Sequence, residues 1–265
     1  MSPSDYRVSA VVMALAALRG LAERPDGATQ TELARAVGAS KSTMHNLLAT
    51  LEQERFVRRD PRTRIYQLGS DLIWLGSVAE SQMKVVHLAA EGLALLAASE
   101  GLSCAIALPT PECEAQVVER FYSPHNLHVG ITLGACFNRF EGALGKCLLA
   151  ALPPAECERV IRQSALPKHT RRSISDANEM LAEVALVRRR GWAVSAQELN
   201  EVNAVAAPVF GADGEPLLYL LALGLTDQLT DDKLDVIGAT LHDLAEAVSQ
   251  LRGERLDGQG RGGQV

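Results

Sequence analysis

The stretch GASKSTMHNLL, Gly38 to Leu48, decides the first fold assignment. Met44, Leu47, Leu48 and Leu51 recur at i, i+3, i+4 and i+7, the apolar stripe of an amphipathic helix. The opposite face carries Ser40, Lys41, Ser42, Thr43, His45 and Asn46, mostly short hydrogen-bonding side chains instead of a Lys/Glu surface. Ser40 fits an N-cap, and Gly38 fits the left-handed C-cap of a preceding helix. That helix is written in TQTELARAVG: Thr29 and Glu32 match a capping box, and Leu33, Ala34 and Val37 supply its inner face. Two short helices separated only by Ala39 and Ser40 make a helix-turn-helix, whose second helix is the one that enters a major groove.

Working outward, VSAVVMALAALRGLA over residues 8–22 reads as a helix with Val8, Val11, Val12, Leu15, Leu18 and Leu21 as a broad apolar face, ended by Pro25, Asp26 and Gly27. Downstream, RFVRRDPRTRIYQLG changes period. Phe56–Arg59 and Arg64–Leu68 read as strands joined by a turn that Asp60-Pro61 opens. A basic hairpin after a helix-turn-helix is a wing, and Arg62 and Arg64 at its tip suit phosphate or the minor groove.

Charge agrees with this division. The 265 residues carry a net charge of −6, but residues 1–70 hold ten Lys/Arg against seven Asp/Glu, a basic head of +3 on a body of −9. The length suits two domains. The longest apolar runs, such as LLYLLALGL at 217–225, fall far short of the ~20 residues a membrane span needs. No basic lead-in precedes the first apolar run, so no signal peptide is read and a cytoplasmic location is expected. Five scattered cysteines (Cys104, Cys113, Cys136, Cys147, Cys157) include no C-x-x-C pair. They are expected to be small buried residues, and neither a metal nor a cofactor is expected.

SDLIWLGSVAES, 70–81, is expected to be a connecting helix, with Trp74 packed between domains or subunits. From about residue 83 helices and strands mix. A helix runs to Glu100 and stops at Gly101, and strand-like runs cover 103–108, 115–122 and 127–133. A Gly-opened helix follows over 141–152, broken by Pro153-Pro154. A further helix spans 176–190. Three more strands are read at 192–196, 204–210 and 217–224, with GADGEP as a hairpin signal between the last two. A last helix is read from Asp231 to Leu251. The expected fold is α+β: a winged helix-turn-helix domain over 1–69, a linker helix over 70–82, an antiparallel sheet with flanking helices over 83–252, and a disordered Gly-rich tail over 253–265.

TELARAVGASKSTMHNLLATLEQERFVRRD closely resembles the winged-helix segment of IclR-type transcriptional regulators. GALGKCLLAALP, LAEVALVRRRGWAVSAQE and AVAAPVFGADGEPL resemble three successive signatures of that family's effector domain, and the likeness runs from about Arg7 to Arg252. The resemblance implies a GAF-like sensor domain, binding of double-stranded operator DNA, a small-molecule effector, and a homodimer or homotetramer. Carried over, it makes Ser40–Asn46 the groove-facing surface, with Thr29 and Gln30 at the start of the preceding helix and Arg62, Arg64 and Tyr66 on the wing.

Two departures from the family pattern carry information. Asn46 stands where Arg is common; Asn pairs bidentately with adenine, whereas Arg prefers guanine or phosphate. Relatives that take small carboxylates have Gly-Ala, acidic residues and alternating serines where this chain has Ala143-Leu144, Ser195-Ala196, and Leu221 with Leu223. Residues two apart on a strand share a face, so Leu217, Tyr219, Leu221 and Leu223 point together. Such a lining, extended by Val202 and Ala204 on the neighbouring strand, implies an effector with an aromatic or otherwise apolar body. His128, Cys136 or Asn203 is available for a polar contact, and the start of the 141–152 helix for an acid group.

The effector reading competes with a hydrophobic core that takes no ligand, which would make the chain a DNA-binding regulator with a filled sensor domain. An enzyme is the least favoured class. The histidines stand in no nucleophile or metal motif, and GALGKC lacks the spacing and the Ser/Thr of a phosphate-binding loop.

Overall fold

The computed structural model describes residues 7–111, 113–122 and 128–259. The chain divides into two compact units, Met1–Gln82 and Met83–Val265. Among the described residues no helix is long and apolar enough to cross a membrane.

The first unit is built from α1 (Ser9–Ala22), α2 (Gln30–Val37), α3 (Lys41–Gln53), β1 (Val57–Arg59), β2 (Tyr66–Leu68) and α4 (Asp71–Gln82). Local chemistry sets its helix ends. Thr29 and Glu32 form the reciprocal capping box, Gly38 closes α2 at φ 70°, and the Ser40 hydroxyl accepts the Thr43 N–H at 3.1 Å. Met44 and Leu48 pass from α3 into a core with Ala17, Leu21, Leu33, Ala34, Val57 and Tyr66.

One feature differs from the sequence reading. On α1, only Ala17 and Leu21 are buried, with Leu18 packed beside them; Val8, Val11, Val12 and Leu15 are exposed. The apolar surface of α1 spans two stripes, and only the one at its C-terminal half meets α2 and α3. Within the single chain Trp74, expected to pack between domains or subunits, is 64% exposed, and its neighbours Ile73 and Leu75 are exposed with it.

The wing strands pair antiparallel, Arg59 opposite Tyr66, and are shorter than the runs read from sequence. Ala28 adds a third rung by exchanging backbone hydrogen bonds with Tyr66 at 2.8 and 3.0 Å. Gly27 is needed there, since at φ +82° a Cβ would lie 2.4 Å from the Tyr66 carbonyl oxygen.

The second unit comprises α5 (Lys84–Glu100), β3 (Ser103–Thr110), β4 (Glu114–Phe121), β5 (Cys136–Phe137), α6 (Gly142–Ala151), α7 (Pro154–Gln163), α8 (Ala177–Arg190), β6 (Ala193–Ala196), β7 (Val202–Phe210), β8 (Pro216–Leu225) and α9 (Asp231–Gln259). The strands form one antiparallel sheet ordered β5-β4-β3-β8-β7-β6. Strand alternation splits its residues between two layers. Cys104, Ile106, Val205, Ala207, Leu218, Leu220 and Ala222 pack with α5 and α9. Ala105, Ala107, Ala206, Tyr219 and Leu221 pack with Ala143, Leu144 and Cys147 of α6. This helix–sheet–helix arrangement is the α+β class expected from the sequence.

Of the strand read at 127–133, Leu127 lies outside the described residues and 128–133 form no strand. Residues 128–132 are irregular, Leu133-Gly134 turn with Gly134 at φ +80°, and the strand that follows is Cys136–Phe137. The Ile131 carbonyl, which a ladder would use, accepts instead from the Arg120 guanidinium and from the Tyr122 hydroxyl at 2.9 Å. At the other end, α9 continues to Gln259, past Leu251 and into the segment read as a disordered tail; 252–259 contain no proline to stop it. Residues 260–265 of that expected tail lie outside the described residues.

Candidate DNA-binding face and effector site

On α3, capping and packing determine what is left for a partner. With Met44 and Leu48 inward, Lys41, Ser42, His45 and Asn46 are exposed on one side, at i, i+1, i+4 and i+5. Ser40, Ser42 and Thr43 share a hydroxyl cluster at 2.8–2.9 Å. That commits Ser40 mainly to its cap. Gln30 reaches across the turn and donates from Nε2 to the Lys41 carbonyl at 2.9 Å, fixing α2 against the start of α3. The Thr29 hydroxyl is likewise occupied by Glu32 at 2.7 Å. Of the expected contact set, Gln30 and Ser40 thus fix the start of α3, and Thr29 caps α2.

At the wing, the Asp60 carboxylate accepts the N–H groups of Arg62 and Thr63 at 2.7 and 2.9 Å. These bonds hold its pKa below the ordinary aspartate value. Arg64 takes φ +60° in this turn, and both arginine side chains are exposed. Tyr66 requires a correction. It is 2% exposed, packs in the core, and carries the Arg59 guanidinium over its ring at 5.2 Å. In so short a strand the inward position goes to the largest apolar surface, so the Tyr66 ring holds the wing from inside and does not project from it. Arg58, exposed beside it on β1, was passed over by the sequence reading.

In the second unit, register brings the expected effector residues together. Tyr219, Leu221 and Leu223 lie on the α6-facing side of β8, opposite Pro208, Ala206 and Ala204 of β7, with Ser195 of β6 beyond Ala204. Ala143 and Leu144 face them from α6. Tyr219, Leu221, Ala143 and Leu144 are buried; Val202, Ala204 and Leu223 are partly exposed. Burial raises the pKa of the Tyr219 phenol and pushes the Cys147 thiol up to about 12. Gly142 opens α6 at φ +59°, where a Cβ would lie 3.0 Å from Leu199 and 3.5 Å from the Ser195 hydroxyl. The helix has no side-chain cap at this end.

Three candidates fall elsewhere. Cys136 is exposed on β5 and disulfide-bonded to Cys113 across 23 residues, so it is neither buried filler nor part of this face. Asn203 points to the α9 side and donates to the Leu229 carbonyl at 2.8 Å, anchoring the start of that helix. His128 is exposed and tilted against Tyr122, 4.4 Å between ring centroids. Lys146 of the GALGK motif is a clasp: 3% exposed, it donates to the Val194 carbonyl at 2.7 Å and to Glu198 at 2.6 Å, with Glu183 at 3.6 Å. Burial raises the Glu198 pKa, and Lys146 opposes that rise.

Comparison with known proteins matches both units. Residues 10–61 match the model of the IclR helix-turn-helix domain, and residues 78–250 that of the bacterial transcriptional regulator IclR C-terminal domain. The chain is 23% identical over 256 residues to the transcriptional repressor IclR of Escherichia coli K12, covering 95% of this chain and 93% of that one. An IclR transcriptional regulator from Alicyclobacillus acidocaldarius superposes with a TM-score of 0.83 at 31% identity, over 92% of this chain and 99% of that structure. An IclR homologue from Microbacterium hydrocarbonoxydans, solved in complex with 4-hydroxybenzoate, has the same fold at TM-score 0.76 and 14% identity, over 91% and 98% of the two chains.

Proposed function

The chain belongs to the IclR family of DNA-binding transcriptional regulators, not to a family of enzymes, and from that premise we propose that it binds operator DNA through α3 and the wing under the control of an aromatic or largely apolar effector. The observation that carries the DNA half is the outer side of α3. Lys41, Ser42, His45 and Asn46 project from a helix whose start is fixed by Ser40 and Gln30, the placement a major-groove reader needs. Arg62 and Arg64 supply phosphate or minor-groove contacts.

The effector half rests on the face formed by Leu221, Leu223 and Ala204 under α6. A small hydrophilic acid would lose hydrogen bonds there at ~1–3 kcal/mol per unpaired group. An aromatic body fits, with or without an acid group; an acid is accommodated at the uncapped start of α6. The 4-hydroxybenzoate complex of the Microbacterium homologue is consistent with this class. Control of a gene cluster for aromatic-compound breakdown follows.

The exposed apolar residues of α1 (Val11, Val12, Leu15), of its N-cap Val8 and of α4 (Ile73, Trp74) support a homodimer or homotetramer, and a cytoplasmic location suits a DNA-binding regulator. The effector acts by linkage: it changes DNA affinity only insofar as it binds one arrangement of paired domains better than another.

A second reading has its own support. Tyr219, Leu221, Ala143 and Leu144 are packed as core, which favours a regulator whose sensor domain is filled. Thermal melting of the full chain against aromatic acids, phenols, glyoxylate and pyruvate separates the two. Raised melting temperatures with the aromatic compounds alone support the effector class. A shift with none supports the filled domain, and a shift with glyoxylate or pyruvate alone refutes the aromatic reading.

A further inference from the structure

The sheet of the second unit contains a polar–apolar–apolar–polar row that sequence spacing alone does not disclose. Ser103 of β3 lies opposite Leu223 of β8, Leu223 opposite Ala204 of β7, and Ala204 opposite Ser195 of β6. Partners in register share a face, so both serines stand on the α6 side of the sheet. The two serines are buried, whereas Leu223 and Ala204 between them are partly exposed. The row is therefore open in the middle and closed at its ends.

The ends differ. Ser195 has its hydroxyl beside Gly142 at the uncapped start of α6. Ser103 is 1% exposed and its hydroxyl has no hydrogen-bond partner. Buried hydroxyls are almost always paired, and one left unpaired weakens the free protein. Its polar neighbours on β4 are committed: Arg120 and the Tyr122 hydroxyl both donate to the Ile131 carbonyl.

We propose that Ser103 is a specificity-determining contact of the effector site, hydrogen-bonding a neutral hydroxyl at the far end of an aromatic effector whose other polar end meets Ser195 and the start of α6. The proposal rests on the aromatic-effector reading and makes it specific. The group at Ser103 is neutral because a buried charge needs a counter-charge, and Arg120, the cation on that face, is exposed and turned to Ile131. The size follows from the sheet. Three strand spacings of about 4.8 Å put the Ser103 and Ser195 backbones about 14 Å apart. A single six-membered ring with oxygen groups at opposite positions, and a hydrogen bond of about 2.8 Å at each end, matches that span.

The test is calorimetric titration of full-length wild type and Ser103→Ala with 4-hydroxybenzoate and benzoate, which differ only in the hydroxyl. Wild type is expected to bind 4-hydroxybenzoate about ten-fold more tightly than benzoate. Ser103→Ala is expected to lose that ten-fold preference and to bind benzoate as wild type does. Because the hydroxyl is unpartnered in the free protein, the variant's melting temperature without ligand is expected to equal or exceed that of wild type. A variant that keeps the ten-fold preference, or one that melts lower, overturns the role of Ser103 and leaves the aromatic reading standing. Wild type that prefers benzoate overturns the role of Ser103 likewise. Wild type that binds neither compound overturns both.

Discussion

The outer side of α3 and the α6-facing side of the sheet, the two proposed binding surfaces, are built in opposite ways. On α3 the polar residues are adjacent in sequence, stand in solvent, and are held by caps one turn away. On the sheet the candidate contacts come from β3, β6, β7, β8 and α6, together spanning more than 100 residues of chain, and they are mostly buried. A surface of the first kind can be altered without touching stability. A surface of the second kind shares its residues with the core, so ligand preference and folding change together.

The largest expected effect lies in the second unit. Lys146→Met leaves Glu198 buried without its cation and is expected to destabilise that unit by about 3–5 kcal/mol in urea unfolding. A loss below 1 kcal/mol would mean that the clasp is not a structural element. Met44→Ala, inside α3, is expected to cost about 2–5 kcal/mol and to abolish DNA binding through unfolding of the first unit. Asn46→Ala, two residues away on the exposed side, sharpens the contrast. Its melting temperature is expected to stay unchanged while selection from randomised duplexes loses preference at one base pair, worth about 1–3 kcal/mol. Retained preference at every position would remove Asn46 from the base readers.

Leu221→Ser tests the shared-residue side of the comparison. Binding of phenols is expected to weaken, and the melting temperature to fall, with the affinity of the ligand-free protein for DNA unchanged. The smallest effect is acid-dependent. Glu32 and Asp60 both have pKa values lowered by hydrogen bonds from Thr29 and from Thr63 and Arg62. Their stabilisation is present above about pH 4.5 and is lost as pH falls through the lowered folded-state values. Circular-dichroism melts in that acid range are expected to fall less steeply for the Glu32→Gln, Asp60→Asn double variant than for wild type.

The contrast also explains what could be read in advance. The helix-turn-helix was legible because each of its devices is local: Thr29 with Glu32, Gly38, Ser40, then Met44 and Leu48 at helical spacing. The shared face of Tyr219, Leu221 and Leu223 was legible from strand alternation. Tyr66 came to the contact set from the resemblance alone, and its burial was not legible because a three-residue strand gives too little pattern to tell its inner side from its outer. The Cys113–Cys136 bond, the Lys146–Glu198 pair and the Ser103–Ser195 row join residues 23, 52 and 92 positions apart. Only the fold brings them together. The irregular path at 128–132 was hidden for the same reason, since Arg120 and Tyr122 take the Ile131 carbonyl from the side.

The central claim is that the outer side of α3 is a DNA-reading surface. Fluorescence anisotropy with duplex DNA from upstream of the protein's own gene, titrated with the full-length wild type and Lys41→Ala at several salt concentrations, tests it most directly. Tight binding that falls steeply with salt is expected, with a Lys41→Ala slope about one unit shallower. No binding at low salt, or identical salt slopes for the two proteins, would contradict it.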